Sequence, residues 1–121
     1  MERRHRLSRN KEFRDVRNHG RSWSHPMLIL RAHANGLSHT RFGFVVGRRI
    51  GKAVVRNRVK RRLREATRAR LPVTKEGWDV VLIARPAIAN APFAEITQAL
   101  DWLLGRAGLH EGARPLADVA E

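Results

Sequence analysis

Lys52-Ala-Val-Val-Arg-Asn-Arg-Val-Lys-Arg-Arg-Leu-Arg-Glu-Ala-Thr-Arg-Ala-Arg70 contains neither Gly nor Pro, with Gly51 just before it and Pro72 just after. These boundaries predict a helix that begins near Lys52 and stops near Arg70, and its second half is filled with good helix formers. Wound at about 100° per residue, Val55, Val59, Leu63 and Ala66 make one narrow apolar stripe. Asn57, Arg61, Arg64 and Arg68 lie almost opposite. Arg58 and Arg62 flank one edge of the stripe, Arg56 and Lys60 the other. Glu65 is the only acid. A helix that merely faces water usually alternates charge signs, because i,i+4 ion pairs help it and like charges oppose it. This one tolerates self-repulsion, which a polyanionic partner would relieve.

The whole chain carries the same signal. Its 121 residues suffice for one domain with one modest core. Lys plus Arg is 25 against 11 for Asp plus Glu, a net charge of +14. Such an excess costs compactness and points to a polyanion, and arginine, the dominant cation, grips phosphate bidentately and stacks on bases. A membrane surface is the other available anion. Against it, no apolar run approaches about 18 residues, and the basic helix has no Trp/Phe/Leu face. Met1 to Arg6 lacks the apolar core of a secretory signal. The absence of cysteine excludes disulfides, thiolate metal sites and a Cys nucleophile, and it agrees with a cytoplasmic location.

Before the basic helix, Met1 to Leu7 reads as a basic arm, ordered only in part without a partner. Ser8 suits the N-cap of a short helix, about Arg9 to Asn18, ended by Gly20. Phe13 and Val16 are its apolar pair. Arg21 to Ser24 and Met27 to Ala34 read as strands. The second has Leu28, Leu30, Ala32 and Ala34 on one face and Met27, Ile29, Arg31 and His33 on the other. Asn35-Gly36 with Leu37 to His39 predicts a hairpin loop into a strand from Arg41 to Gly47. The glycines on one face of that strand leave room for close approach. After the basic helix, Leu71 to Gly77 is a linker. Trp78 to Arg85 is a continuous apolar strand, expected in the sheet centre, and Pro92 opens a last helix to about Ala107. Its stripe is Phe93, Ile96, Leu100, Leu103 and Leu104, with Trp102 at the edge. The domain is read as 1–108, and 109–121 as a disordered tail.

Arg41-Phe-Gly-Phe-Val-Val-Gly-Arg-Arg-Ile-Gly-Lys-Ala-Val-Val-Arg-Asn-Arg-Val-Lys-Arg-Arg-Leu-Arg-Glu65 resembles the protein component of bacterial ribonuclease P. Its centre is Arg56-Asn57-Arg58, followed by Lys60, Arg61 and Arg64. Leu7 to Gly20 resembles the family's first helix, and Trp78 to Pro86 its last strand, so the likeness spans about residues 3–105. It implies an α/β two-layer sandwich: a four-stranded sheet and three helices in the order α-β-β-β-α-β-α, with a left-handed βαβ crossover. It also implies a subunit of an endoribonuclease that removes the 5′ leader from precursor tRNA. In that enzyme the RNA subunit is the catalyst and holds most of the Mg²⁺, in a 1:1 protein:RNA complex. Arg56, Asn57, Arg58, Lys60, Arg61, Arg64 and Arg68 are then expected against the catalytic RNA, with Arg48, Arg49 and Lys52 extending the surface. Phe13, Arg9, Lys11 and Arg17 are expected to line a cleft for the leader. Arg17 and Leu30 stand where the family often has further aromatics, so the cleft is expected to be more electrostatic.

The residues offer no chemistry of their own. Gly47 to Lys52 has only three residues between its glycines, and Ala53 stands where a nucleotide-binding loop needs a hydroxyl. The six histidines, His5, His19, His25, His33, His39 and His110, lack zinc spacing, and no two acids can be set on one rigid face for a two-metal site. Three rivals remain at this stage. A structural ribosomal protein is not separated by charge alone. A major-groove DNA reader usually shows a helix-turn-helix or a dimer motif. A self-sufficient nuclease needs the acids that are missing.

Overall fold

The computed structural model describes residues 1–110. Its helices are α1 (Asn10–His19), α2 (Ala53–Arg70) and α3 (Phe93–Arg106). Its strands are β1 (Arg21–Ser24), β2 (Leu28–Ala34), β3 (Arg41–Val45) and β4 (Trp78–Ala84). They form one sheet in the order β1-β2-β4-β3. β4 runs antiparallel to β2 and parallel to β3. The apolar run of β4 is therefore central, as its composition requires.

The expected hairpin between β2 and β3 is not there. β4 inserts between them, and the Asn35 N–H binds the Gly77 carbonyl (2.9 Å) at its start. Gly36, at φ 72°, makes the turn, but the loop crosses over the start of β4. A local turn signal fixes chain reversal, not which strand becomes the neighbour.

The hand of the β3–α2–β4 unit follows from one residue. The Phe42 ring joins the core on the α2 side. Its carbonyl accepts the Leu7 N–H (2.8 Å), away from β4. With an L-residue's side chain toward the viewer and the chain running up, the carbonyl points right, so β4 lies left. α2 crosses in front, which makes this a left-handed crossover, the rare hand for parallel strands.

Leu28, Leu30 and Ala32 of β2, with Val80 and Leu82 of β4, pack against Val59, Leu63 and Ala66 of α2 and Ile96, Leu100 and Leu103 of α3. Burying side chains such as Val59 and Leu63 stabilises by roughly 1.5–3 kcal/mol each. The other face is also apolar: Val81 and Ile83 pack with Leu7, Phe13 and Val16. α1 thus lies opposite α2 and α3, and the expected two-layer sandwich gains a partial third layer. Phe93, expected in the stripe of α3, is the first residue of the helix and is 41% exposed; the buried stripe begins a turn later and consists of Ile96, Ala99, Leu100, Leu103 and Leu104.

Two boundaries also shift. The arm is anchored: Arg3–His5 forms a single 3-10 turn, Arg6 bridges to Phe42, and Leu7 is buried. The free edge of β3 supplies the partner that composition could not reveal. At the other end, the fold includes Leu109, 1% exposed, whose carbonyl accepts the Lys75 N–H (2.7 Å). His110 bridges to Thr74. The domain therefore extends two residues past the expected boundary, and 111–121, the rest of the expected tail, lies outside the described residues.

Candidate nucleic-acid interface

α2 is held by its buried stripe and by arginines on its flanks. Val59, Leu63 and Ala66 are at most 1% exposed, and the buried Thr67 hydroxyl donates to the Leu63 carbonyl (3.0 Å). Arg58 Nη2 donates to the Ala89 carbonyl (3.1 Å) and Arg62 Nη1 to the Ala91 carbonyl (3.0 Å). At the far end Arg70 pairs with Asp101 of α3 (2.6 and 2.9 Å), and this hydrogen bond raises the Arg70 pKa. Arg56 Nε donates to the Gly51 carbonyl (3.1 Å). Gly51, at φ 150°, lets the chain swing from the Arg48–Ile50 3-10 turn into the helix.

These contacts sort the expected RNA-binding residues. Arg58 and Arg56 are half-buried and partly committed to backbone carbonyls. Asn57, Arg61 and Arg64 are exposed on the opposite side of the helix, with Lys60 half-buried beside them. Arg68 is exposed but paired with Glu65 (2.6 Å); the hydrogen bond from Arg68 holds the Glu65 carboxyl below its ordinary range. Arg48, Arg49 and Lys52 are exposed where the chain enters α2 and extend the cationic strip.

A second cationic face surrounds α1. The Phe13 ring, half-buried, lies over Gly43 of β3, where an added Cβ would sit 2.6 Å from Phe13 Cε1 and 3.0 Å from Leu7 Cδ1. That is the close approach expected of the glycine-bearing face of the strand. Arg17 follows Phe13 by four residues and shares its side of the helix, and Arg9 is the N-cap one turn before. Lys11 does not join them. It falls about 160° around the helix at 100° per residue and pairs with Asp15 (3.0 Å). Leu30 is fully buried on the α2 side, so it is not part of this face. Its neighbour Arg31 is, and Arg31 Nη2 donates to the Arg17 carbonyl at the end of α1 (2.7 Å). Alternation decides this: a one-residue slip along a strand moves a side chain to the other side of the sheet.

Sequence reasoning missed what fixes α1 in place. Arg41 of β3 donates from Nε and Nη2 to both oxygens of Asp79 on β4 (2.8 and 2.7 Å), and from Nη1 to Glu12 of α1 (2.9 Å). Asn35 adds a bond to Asp79 (2.9 Å). Glu12 Oε1 accepts the N–H groups of Ser8 (3.0 Å) and Arg9 (3.1 Å), so this carboxylate, not the Ser8 hydroxyl, caps α1. Burial pushes the Glu12 carboxyl up, but those N–H groups and the Arg41 charge outweigh it, and its pKa falls below the ordinary 4.5. The Asp79 hydrogen bond raises the Arg41 pKa. The available signal was Asp79 itself, an acid inside an apolar strand, since a buried charge demands a partner.

A family model described as Ribonuclease P matches residues 1–108. The ribonuclease P protein component of Roseiflexus castenholzii is 45% identical over 114 residues, 93% of each chain. That of Herpetosiphon aurantiacus is 42% identical over 116 residues, 95% of this chain and 94% of the relative. Among solved structures, an RNase P protein from Staphylococcus aureus superposes with a TM-score of 0.82 at 25% identity, covering 88% of this chain and 98% of that one. The RNase P protein from Thermotoga maritima gives 0.77 at 31%, covering 84% and 96%.

Proposed function

The chain belongs to the bacterial ribonuclease P protein family, and we propose that its two cationic faces take different RNAs. The chain is the protein subunit of an endoribonuclease that removes the 5′ leader from precursor tRNA, with the RNA subunit as catalyst and partner. In our reading the cationic strip of α2, Asn57, Lys60, Arg61 and Arg64 with Arg68 and Arg48, Arg49 and Lys52, meets the phosphates of that RNA subunit in a 1:1 complex. Arg56 and Arg58 contribute their remaining guanidinium donors and hold the strip in position. The α1 face, Phe13 with Arg9, Arg17 and Arg31, takes the precursor tRNA leader.

One observation carries this division. Phe13 presents a half-exposed ring between arginines, on the side of the sheet opposite α2. A flat ring beside cations suits unpaired bases of any sequence, whereas a strip of arginines suits the backbone of a folded RNA.

Mg²⁺ we assign to the RNA subunit. Among the described residues no three His, Asp or Glu side chains are grouped as metal ligands. Glu12, Asp15, Glu65, Asp79 and Asp101 are each paired with an arginine or lysine. This donor set does not fit a hard divalent cation. No described helix is long and apolar enough to cross a membrane, and we propose a cytoplasmic location, where precursor tRNA is made.

Phe13→Ala tests the division. It should weaken binding of precursor tRNA by about 1–3 kcal/mol, leave mature tRNA binding nearly unchanged, and leave affinity for the RNA subunit intact. Equal losses for precursor and mature tRNA, or a fall in melting temperature that accounts for both, would make Phe13 a packing residue and remove the leader from this face.

A further inference from the structure

The N-terminal arm carries four arginines within nine residues, Arg3, Arg4, Arg6 and Arg9, against one acid, Glu2. Such a segment repels itself, yet it is fixed. His5 Nδ1 lies 2.8 Å from the Thr40 carbonyl, Arg6 bridges to Phe42, and the Leu7 N–H binds the Phe42 carbonyl. The first contact is with the residue just before β3 and the other two are with its outer edge, and none uses an arginine side chain.

The chain leaves the 3-10 turn Arg3–His5 in an extended conformation at Arg6. Arg3 and Arg6, with Leu7 and Ser8, line an open depression of about 500 Å³. Arg4 points elsewhere and pairs with Glu2 (3.2 Å). Arg3 and Arg6 are exposed, and neither guanidinium has a partner among the described residues. The depression adjoins the face of Phe13: Leu7, one of its walls, sits with Phe13 over Gly43.

We propose that Arg3 and Arg6, with Ser8, form a second anion site that takes backbone phosphates of the 5′ leader beyond the bases stacked at Phe13. The proposal rests on the assignment of the leader to the α1 face. The arm then works as a clamp for phosphates, anchored through its backbone and the His5 ring so that both guanidinium groups stay free. Recognition of this kind is blind to sequence and depends on leader length and salt.

The test uses holoenzyme reconstituted with the RNA subunit and a series of precursor tRNAs with leaders of increasing length. Arg3→Ala with Arg6→Ala should leave binding of short-leader substrates and mature tRNA unchanged and weaken long-leader substrates several-fold. The slope of log K against log salt should flatten by about 0.7 for each phosphate contact removed. The double lysine variant should retain most of the affinity. The melting temperature should hold, since the anchoring bonds belong to the backbone and to His5. Equal binding at every leader length overturns the proposal, and so does an equal loss for mature tRNA or for the RNA subunit, which would assign the arm to another RNA surface. Phe13→Ala in the same series separates the two assignments. If Phe13 matters and the arm does not, only the clamp fails; if neither matters, the leader face itself fails.

Discussion

α1 and α2 are both basic helices, but they use their charge in opposite ways. On α2 the arginines at the edges of the apolar stripe are bound to the protein, while Arg61 and Arg64 on the far side have no partner among the described residues. Around α1 the protein satisfies many of its own charges. Lys11 is paired with Asp15, Arg31 with the Arg17 carbonyl, and Glu12 with Arg41. The apolar contact of α1 is small, essentially Phe13 and Val16, so polar bonds must set its angle on the sheet. α2 has a full stripe for that purpose and can leave charge for a partner. Net charge alone does not distinguish the two helices; charge left uncompensated by the fold does.

The largest expected effect breaks the α1 side of this comparison. Asp79→Ala removes the bidentate partner of Arg41, whose side chain is only 20% exposed, and leaves that charge poorly solvated. Truncating one member of a buried pair costs about 3–5 kcal/mol, and the low end fits a guanidinium that still has Glu12. Denaturant unfolding should show this loss. A loss of the same size from Arg61→Ala would erase the distinction between the helices.

The next effect sharpens the α2 side. Arg61→Ala with Arg64→Ala should flatten the salt dependence of binding to the RNA subunit by roughly one to two units in log K against log salt. The melting temperature should hold or rise slightly, because like-charge repulsion is relieved. Binding isotherms across salt concentrations, run beside a melting curve, measure both. An unchanged slope would mean that the strip faces solvent in the complex.

The smallest effect concerns pH. The Glu12 pKa is lowered in the fold, so its contribution is fully present above the ordinary carboxyl value of 4.5 and is lost as pH falls through the depressed one. Acid titration should therefore loosen α1 below that range, and Glu12→Gln should remove this part of the pH dependence while costing under about 1.5 kcal/mol at neutral pH. Hydrogen exchange of the α1 amides at two pH values is the direct measurement. Acid sensitivity that survives in Glu12→Gln would have to come from another carboxylate.

By itself the sequence determined that this is a basic α/β domain with a cationic helix from about Lys52 to Arg70, and the motif from Arg41 to Glu65 already pointed to the family. Those features are local: helical period, strand alternation, breakers such as Gly51 and Pro72, and the sign of charge are all set by residues a few positions apart. The tertiary structure alone decided that β4 separates β2 from β3, that the arm is fixed to the edge of β3, and that Arg31 rather than Leu30 faces α1. It also decided which cations remain available. Helical winding already puts Arg58 at the edge of the stripe and Arg61 opposite it, but it does not show that Arg58 is bound to the Ala89 carbonyl while Arg61 stays exposed. That difference depends on a loop 31 residues away, and side-chain pairing across such a separation is fixed only when the core has packed and set the distance between the elements.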